Sequence, residues 1–182
     1  MQITQAMKMV SAAKLKKAQT AIISMRPYSE NLLSVITDIL KSMPSFSSPL
    51  VGEKTHSKRL IISITSNRGL CGGFNANIIK ETLRLSKEDY AGKTIEIMGI
   101  GKKGADILSK TLPIKSRHDT IYDNLSFGNV ADVALLAMDA FAEGHYDKVL
   151  LVYNQFKNAA TQVVTTEQFL PIVAEKDITI LY

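Results

Sequence analysis

An α/β fold carrying one long extra helix is what this sequence predicts, and three observations predict it. The first 43 residues lack glycine and carry a helical apolar stripe; a Ser/Pro/Gly-rich stretch follows; beyond it, short β-rich runs alternate with helical ones. Alternation of that kind gives a mostly parallel sheet covered by helices. The boundaries read as a helix over 1–43, a linker over 44–58 and an α/β domain over 59–182. At 182 residues the chain suffices for one ordinary domain with a core plus a short extra element.

From Ile3 to Met43 the composition is rich in Ala, Lys, Met, Leu and Ile, most of them good helix formers. Counting from Leu15, apolar residues recur at Ala18, Ile22, Met25, Leu32, Ile36, Ile39 and Met43, the three-and-four alternation of a coiled-coil seam, interrupted once by Ser29. Such a stripe needs a partner helix. At about 1.5 Å per residue the segment extends roughly 60 Å, longer than a domain of this size can cover. Pro27 falls away from the seam, where it predicts a kink that leaves the packed face intact.

After the linker, Arg59 to Thr65 (RLIISIT) reads as a buried strand and Gly73 to Leu85 as a helix spaced through Ile78, Ile79 and Leu83. Thr94 to Ile100 reads as the second strand, Lys102 to Ser109 as a short helix and Ile114 to His118 as the third strand. Val130 to Ala142 is helical in pattern, and Lys148 to Phe156 is the next strand. Thr161 to Phe169 adds an edge strand, and Ile178 to Leu181 begins a further element.

The charge of +5 is unevenly placed. Between Met1 and Met43 stand Lys8, Lys14, Lys16, Lys17, Arg26 and Lys41 against only Glu30 and Asp38. A basic segment of this kind can meet nucleic acid, an anionic membrane or acidic proteins. Aromatic residues that would stack on bases are absent between Met1 and Arg26, so a solvated or protein-facing helix is preferred over a nucleic-acid grip. The single cysteine, Cys71, excludes an internal disulfide and a Cys-rich metal site and fits a reducing compartment. No run approaches the roughly 18 apolar residues of a membrane span, and nothing at the amino terminus resembles a secretory signal, so membrane association is expected through partners.

Three motifs invite chemistry. Gly99, Gly101 and Gly104 in GIGKKG have dinucleotide-fingerprint spacing between a strand and a helix, and Asp119 lies 20 residues after Gly99, where an acidic residue holds a ribose hydroxyl. That pattern would make the chain an oxidoreductase domain; glycine is also the ordinary means of turning from strand to helix, and the turn reading is preferred. The loop SNRGLCGGFN, Ser66 to Asn75, offers backbone donors at a helix start but lacks the Gly-Lys-Ser/Thr ending of a nucleotide loop. A tight turn or a loop shaped for a protein partner is the better reading. Cys71 reads as a small packing residue in that turn rather than as a nucleophile served by His56, His118 or His145. No metal site and no pair of catalytic carboxylates stands out.

The segment ITQAMKMVSAAKLKKAQ, Ile3 to Gln19, resembles the amino-terminal helix of the ATP synthase gamma subunit family, and SNRGLCGGFN resembles that family's first strand-to-helix loop. The resemblance continues through RPYSE, KVLLVYNQFKN and FLPI and covers nearly the whole chain. It implies a Rossmann-like domain with helices on both faces, set against an antiparallel coiled coil of the first and last helices. It further implies a noncatalytic central rotor without cofactor, standing inside three alpha and three beta subunits. In the family the α/β domain binds epsilon and sits on the membrane c-ring, peripheral to the cytoplasmic face of the inner membrane, so that proton flow drives conformational change in beta. Carried over by position, Met7, Lys8, Lys14 and Lys17 lie at the bearing against alpha and beta, and Phe156 and Lys157 in the foot near epsilon and the ring. Relative to the family, some fifteen to twenty residues of the first helix and the whole last helix are expected to be missing. The first helix is then expected to fray, to swap with another copy or to pack back on the α/β domain.

Overall fold

The computed structural model describes residues 2–42, 47–52, 54, 57–158 and 161–173. Met43, the linker positions 44–46, 53, 55 and 56, the last being His56, and the element expected at Ile178 to Leu181 lie outside the described residues. The chain divides into two compact units, Met1–Phe46 and Ser47–Tyr182.

The first unit is one helix, α1, Gln2–Ser42, of 41 residues. It is assigned as one helix that runs through Pro27 without a break. Hydroxyls along it bond back to carbonyls of the preceding turn: Ser24 Oγ donates to Thr20 O at 2.9 Å, Ser29 Oγ to Arg26 O at 2.9 Å and Thr37 Oγ1 to Leu33 O at 2.8 Å. Polar Ser29 thus satisfies itself locally where it interrupts the seam. Of the seam residues, Leu15, Met25, Leu32 and Ile39 stand 45%, 58%, 48% and 45% exposed. Ala18 is also exposed, and Ile22 and Ile36 are partly covered.

The second unit holds a five-stranded sheet in the order β3-β2-β1-β4-β5: β1 Lys58–Ile64, β2 Thr94–Ile100, β3 Ile114–His118, β4 Lys148–Phe156 and β5 Gln162–Leu170. The first four are mutually parallel and β5 runs antiparallel to β4. Parallel neighbours demand crossover helices, and right-handed crossovers in opposite directions from β1 put helices on opposite faces. The strand period of two sorts the side chains accordingly. Ile61, Ile97, Leu150 and Val152 pack with Ile78 and Ile79 of α2 (Phe74–Arg84) and Leu108 of α3 (Lys102–Leu108). Leu60, Ile62, Met98 and Val149 pack with Val133, Ala137 and Phe141 of α4 (Phe127–Ala142). Each such fully buried aliphatic side chain contributes about 1.5–3 kcal/mol against exposure, so the RLIISIT run stabilises both faces at once.

Two boundaries differ from the sequence pattern for identifiable reasons. Helix α4 begins at Phe127 rather than Val130 because Ser126 caps it, its Oγ accepting from Asn129 N at 3.3 Å. Helix α2 does not stop near Leu85 but widens into a π turn over Leu85–Asp89. Residues five apart lie on different faces of an α-helix, and the wider turn brings Asp89 onto Arg84. The Arg84 guanidinium then grips Glu81 and Asp89, with its four contacts at 2.8–3.0 Å. The hydrogen bond from Arg84 holds the Glu81 carboxyl below the usual carboxylate range.

Candidate functional site

Open α/β sheets bind ligands outside the carboxyl ends of their strands, so the loops after β1, β2 and β3 are the place to look. Here that edge is closed by the protein's own groups. Thr65, at the end of β1, is buried; its N–H donates to Ile100 O at 2.8 Å, and its Oγ1 accepts from Gly104 N at 2.8 Å. Lys103 N donates to Ser66 O at 3.2 Å, and Lys102 N donates to Asn67 Oδ1 at 2.8 Å. These are the first three N–H groups of α3, the donors that a bound pyrophosphate would need. The Asn67 Nδ2 donates in turn to Asp119 O in the loop after β3, and Tyr122 Oη donates to Thr65 O at 2.8 Å. Burial raises the Tyr122 phenol above its ordinary range, which keeps it a donor. One asparagine and one threonine therefore join three loops.

The glycines of GIGKKG serve this junction. Gly101 has φ 91°, and a Cβ there would lie 1.9 Å from Thr65 O. A Cβ on Gly104 would meet Thr65 Cγ2 and Oγ1 at 2.7 Å, and one on Gly99 would meet Ala105 Cβ at 2.9 Å. The space that a dinucleotide would enter is filled by the β1–α2 loop. Arg117 holds Asp119 Oδ2 at 2.8 Å and Asp106 at 2.7 Å, and Asp119 Oδ1 is buried without a hydrogen-bond partner, so one oxygen is engaged and the other is enclosed rather than offered to a ribose. The oxidoreductase alternative is corrected on these grounds: the fingerprint spacing is a packing device.

The loop Ser66 to Asn75 is organised from its far end. Asn75, buried at the start of α2, accepts from Ser66 N at 2.9 Å and donates to Arg68 O at 3.1 Å. Closing the turn places Leu70 at φ 57° and Gly72 at φ 58°. A non-glycine residue in the left-handed region carries strain, and this leucine is fully exposed as well. Cys71 is exposed, which corrects its reading as a packing residue. His118 is hydrogen-bonded to Ser116 at 3.1 Å and its burial lowers its pKa, whereas His145 faces Glu143 at 3.6 Å. Among the described residues no group of three or more His, Cys, Asp or Glu could hold a metal ion.

The remaining sequence-predicted positions are dispersed. Met7 is 66% exposed, and Lys8, Lys14 and Lys17 are exposed along the same first helix. Phe156 ends β4 partly covered, and Lys157, exposed, opens the β4–β5 hairpin. Asn154 Nδ2 donates to Phe74 O at 2.9 Å, tying that hairpin to the start of α2, so Phe156 and Lys157 share the sheet edge of the Ser66 to Asn75 loop. Thr65, Asn67 and Tyr122 were not singled out from sequence; their roles depend on partners 35 to 57 residues away, which no local spacing signals.

No helix among the described residues is long and apolar enough to cross a membrane. Residues 1–180 match a family model described as ATP synthase. The ATP synthase gamma chain of Flavobacterium johnsoniae is 52% identical over 181 residues, covering 97% of this chain and 62% of its own length. That of Flavobacterium psychrophilum is 50% identical over 177 residues, with the same two coverages. The chain thus spans about three fifths of the length of these curated relatives. Among solved structures, a chain of the Tetrahymena thermophila mitochondrial ATP synthase central stalk and c-ring superposes with a TM-score of 0.55 at 28% identity, covering 81% of this chain and 71% of that one. A closed ligand edge, a Rossmann-like sheet with helices on both faces, a 41-residue helix, a family match over residues 1–180 and gamma-chain relatives at 50–52% identity agree: the chain belongs to the ATP synthase gamma-chain family.

Proposed function

We propose that this chain is part of the central rotor of an ATP synthase, a noncatalytic element that transmits torque between a membrane c-ring and the alpha and beta subunits. The observation that carries the reading is α1: a 41-residue helix whose apolar seam, Leu15, Ala18, Met25, Leu32 and Ile39, is exposed along one side. A helix with such a seam is half of a coiled coil, and an antiparallel partner helix completes a rigid shaft. Torque demands stiffness along the shaft and slip around it.

The slip is assigned to the cationic start of the helix. Met7, Lys8, Lys14 and Lys17 would form the bearing against acidic loops of three alpha and three beta subunits. Exposed ion pairs are worth about 0–1 kcal/mol each, weak enough to break at every step. The α/β unit would seat epsilon and meet the c-ring, with Phe156 and Lys157 in that foot, and the assembly would lie peripherally on the cytoplasmic face of the inner membrane. The closed edge beneath Gly101 supports a scaffold role, because it leaves α3 without free donors for a nucleotide phosphate.

The bearing is tested by reversing Lys8, Lys14 and Lys17 to glutamate and measuring binding to an alpha–beta hexamer at low and moderate salt. Binding of the unaltered chain should weaken as salt rises, and the triple variant should bind at least tenfold more weakly at low salt, about 1.4 kcal/mol. Equal affinity of the two chains at low salt would remove these lysines from the bearing.

A further inference from the structure

Helix α4 carries more apolar surface than the sheet covers. Val133, Ala137 and Phe141 bury one side of it against the sheet. Its solvent side runs through Gly128, Asp132, Leu135, Leu136, Asp139 and Ala142, spaced three or four residues apart and all exposed. The outward stripe of a surface helix is ordinarily polar. Here its centre is two half-exposed leucines, with one aspartate a turn before them and another a turn after.

The charge around these leucines is one-sided. From Asp119 to Asp147 the sequence has six carboxylates and neither lysine nor arginine, although the whole chain carries +5. Asp119 is paired with Arg117 and Asp147 with Arg59. Asp132 and Asp139 are the only charged side chains of α4, and among the described residues neither has an ion-pair partner. Asp139 also stands in the last turn, which has no basic residue, where the helix dipole opposes a negative charge. In the chain alone, then, the leucines stay half in water and Asp139 lacks a counter-charge. Both become favourable under a surface of matching apolarity and opposite sign.

We propose that the outward face of α4 is a docking surface for a basic amphipathic helix of a partner protein. The partner's apolar strip packs on Leu135 and Leu136, and lysines or arginines flanking that strip reach Asp132 and Asp139, two turns apart on the same side. Small residues at the two ends, Gly128 and Ala142, admit a helix axis at about 8–10 Å. A Cβ at Gly128 would meet nothing within 4 Å, so that end is open. Exposed ion pairs add little affinity each, so the leucines carry the binding and the aspartates choose the sign of the partner. The same aspartates disfavour a second copy of this face and an anionic lipid surface. The face lies wholly within the α/β unit and stands independently of the rotor reading.

The experiment is an NMR titration of the whole 182-residue chain at low salt with two synthetic helical peptides of one leucine pattern. One peptide has lysine at its polar positions and the other glutamate. The lysine peptide should shift the resonances of Asp132, Leu135, Leu136 and Asp139 saturably. Read from those resonances, it should bind at least tenfold more tightly than the glutamate peptide. Asp132→Lys combined with Asp139→Lys should invert that preference, and Leu135→Ser combined with Leu136→Ser should weaken the lysine peptide at least tenfold. Should the double reversal lose the folded spectrum, Asp132→Asn with Asp139→Asn serves instead, with the preference abolished. The proposal is overturned if the lysine peptide leaves the α4 resonances in place, if the two peptides shift them equally, or if the preference survives the aspartate variants. It is also overturned if diluting the chain alone shifts the same resonances, which assigns the face to a second copy. Contacts from the Leu135 or Leu136 methyls to a distant segment of the same chain, seen as nuclear Overhauser effects, overturn it as well.

Discussion

Replacing Gly101 with alanine should lower the unfolding free energy of the α/β unit by about 3–5 kcal/mol and its melting temperature by on the order of 10 °C. Two effects add. The residue holds φ 91°, where a Cβ is strained, and that Cβ would lie 1.9 Å from Thr65 O, so β1 and α3 must separate. Separation uncouples Gly104 N from Thr65 Oγ1 and Lys102 N from Asn67 Oδ1, leaving helix-start donors unmatched. Thermal unfolding followed by circular dichroism measures the loss. The outcome also separates two readings of the same motif. A glycine kept only for a cofactor would cost little beyond the backbone strain, about 1–2 kcal/mol, in the ligand-free protein; a packing glycine costs more, because Thr65 O must also move.

Phe141→Ala should cost a similar amount, about 3–5 kcal/mol, through the cavity it leaves. Its ring is fully buried on the α4 face of the sheet, in the cluster that contains Leu60, Ile62, Val149 and Tyr146. The substitution also removes the aromatic face against which Lys54 lies. Phe127, at the start of the same helix, is 86% exposed, and Phe127→Ala should change stability by no more than about 0.5 kcal/mol. Chemical denaturation of the two variants beside the parent chain checks the contrast. Equal losses would mean that α4 packs through a face other than Val133, Ala137 and Phe141.

Most of the sheet was legible because its strands are short, apolar and bounded by turn residues: Thr94 to Ile100 and Lys148 to Phe156 coincide with β2 and β4. What escaped notice depends on groups that meet only after folding. Gly128, a residue that favours turns, obscured the cap that Ser126 gives α4. The π turn after α2 rests on Arg84 reaching Asp89, five residues on, a spacing that helical periodicity does not register. GIGKKG shows the limit most plainly. Its spacing fits a dinucleotide loop and a tight strand–helix junction equally, and only the distance from Gly101 to Thr65 decides between them. Cys71 was misjudged because small residues in glycine-rich turns usually pack; here Asn75 draws the loop ends together and leaves both Leu70 and Cys71 outside. The lysines proposed for the bearing, by contrast, rest on family resemblance alone, since exposed cations on a helix have no local signature of their partner.

The central claim, that α1 is half of a rotor shaft carried by a noncatalytic scaffold, is tested most directly by reconstitution. Purified alpha and beta subunits are mixed with this chain and, in parallel, with a version extended to the length of the curated relatives, and assembly and ATP hydrolysis are measured. The account predicts that the extended chain yields an assembled, ATP-hydrolysing complex and that replacing Leu15, Met25 and Leu32 with aspartate in that chain abolishes it, because the seam no longer pairs. An extended chain that fails to join alpha and beta, or one that still assembles and hydrolyses ATP when its seam is made acidic, would contradict the account.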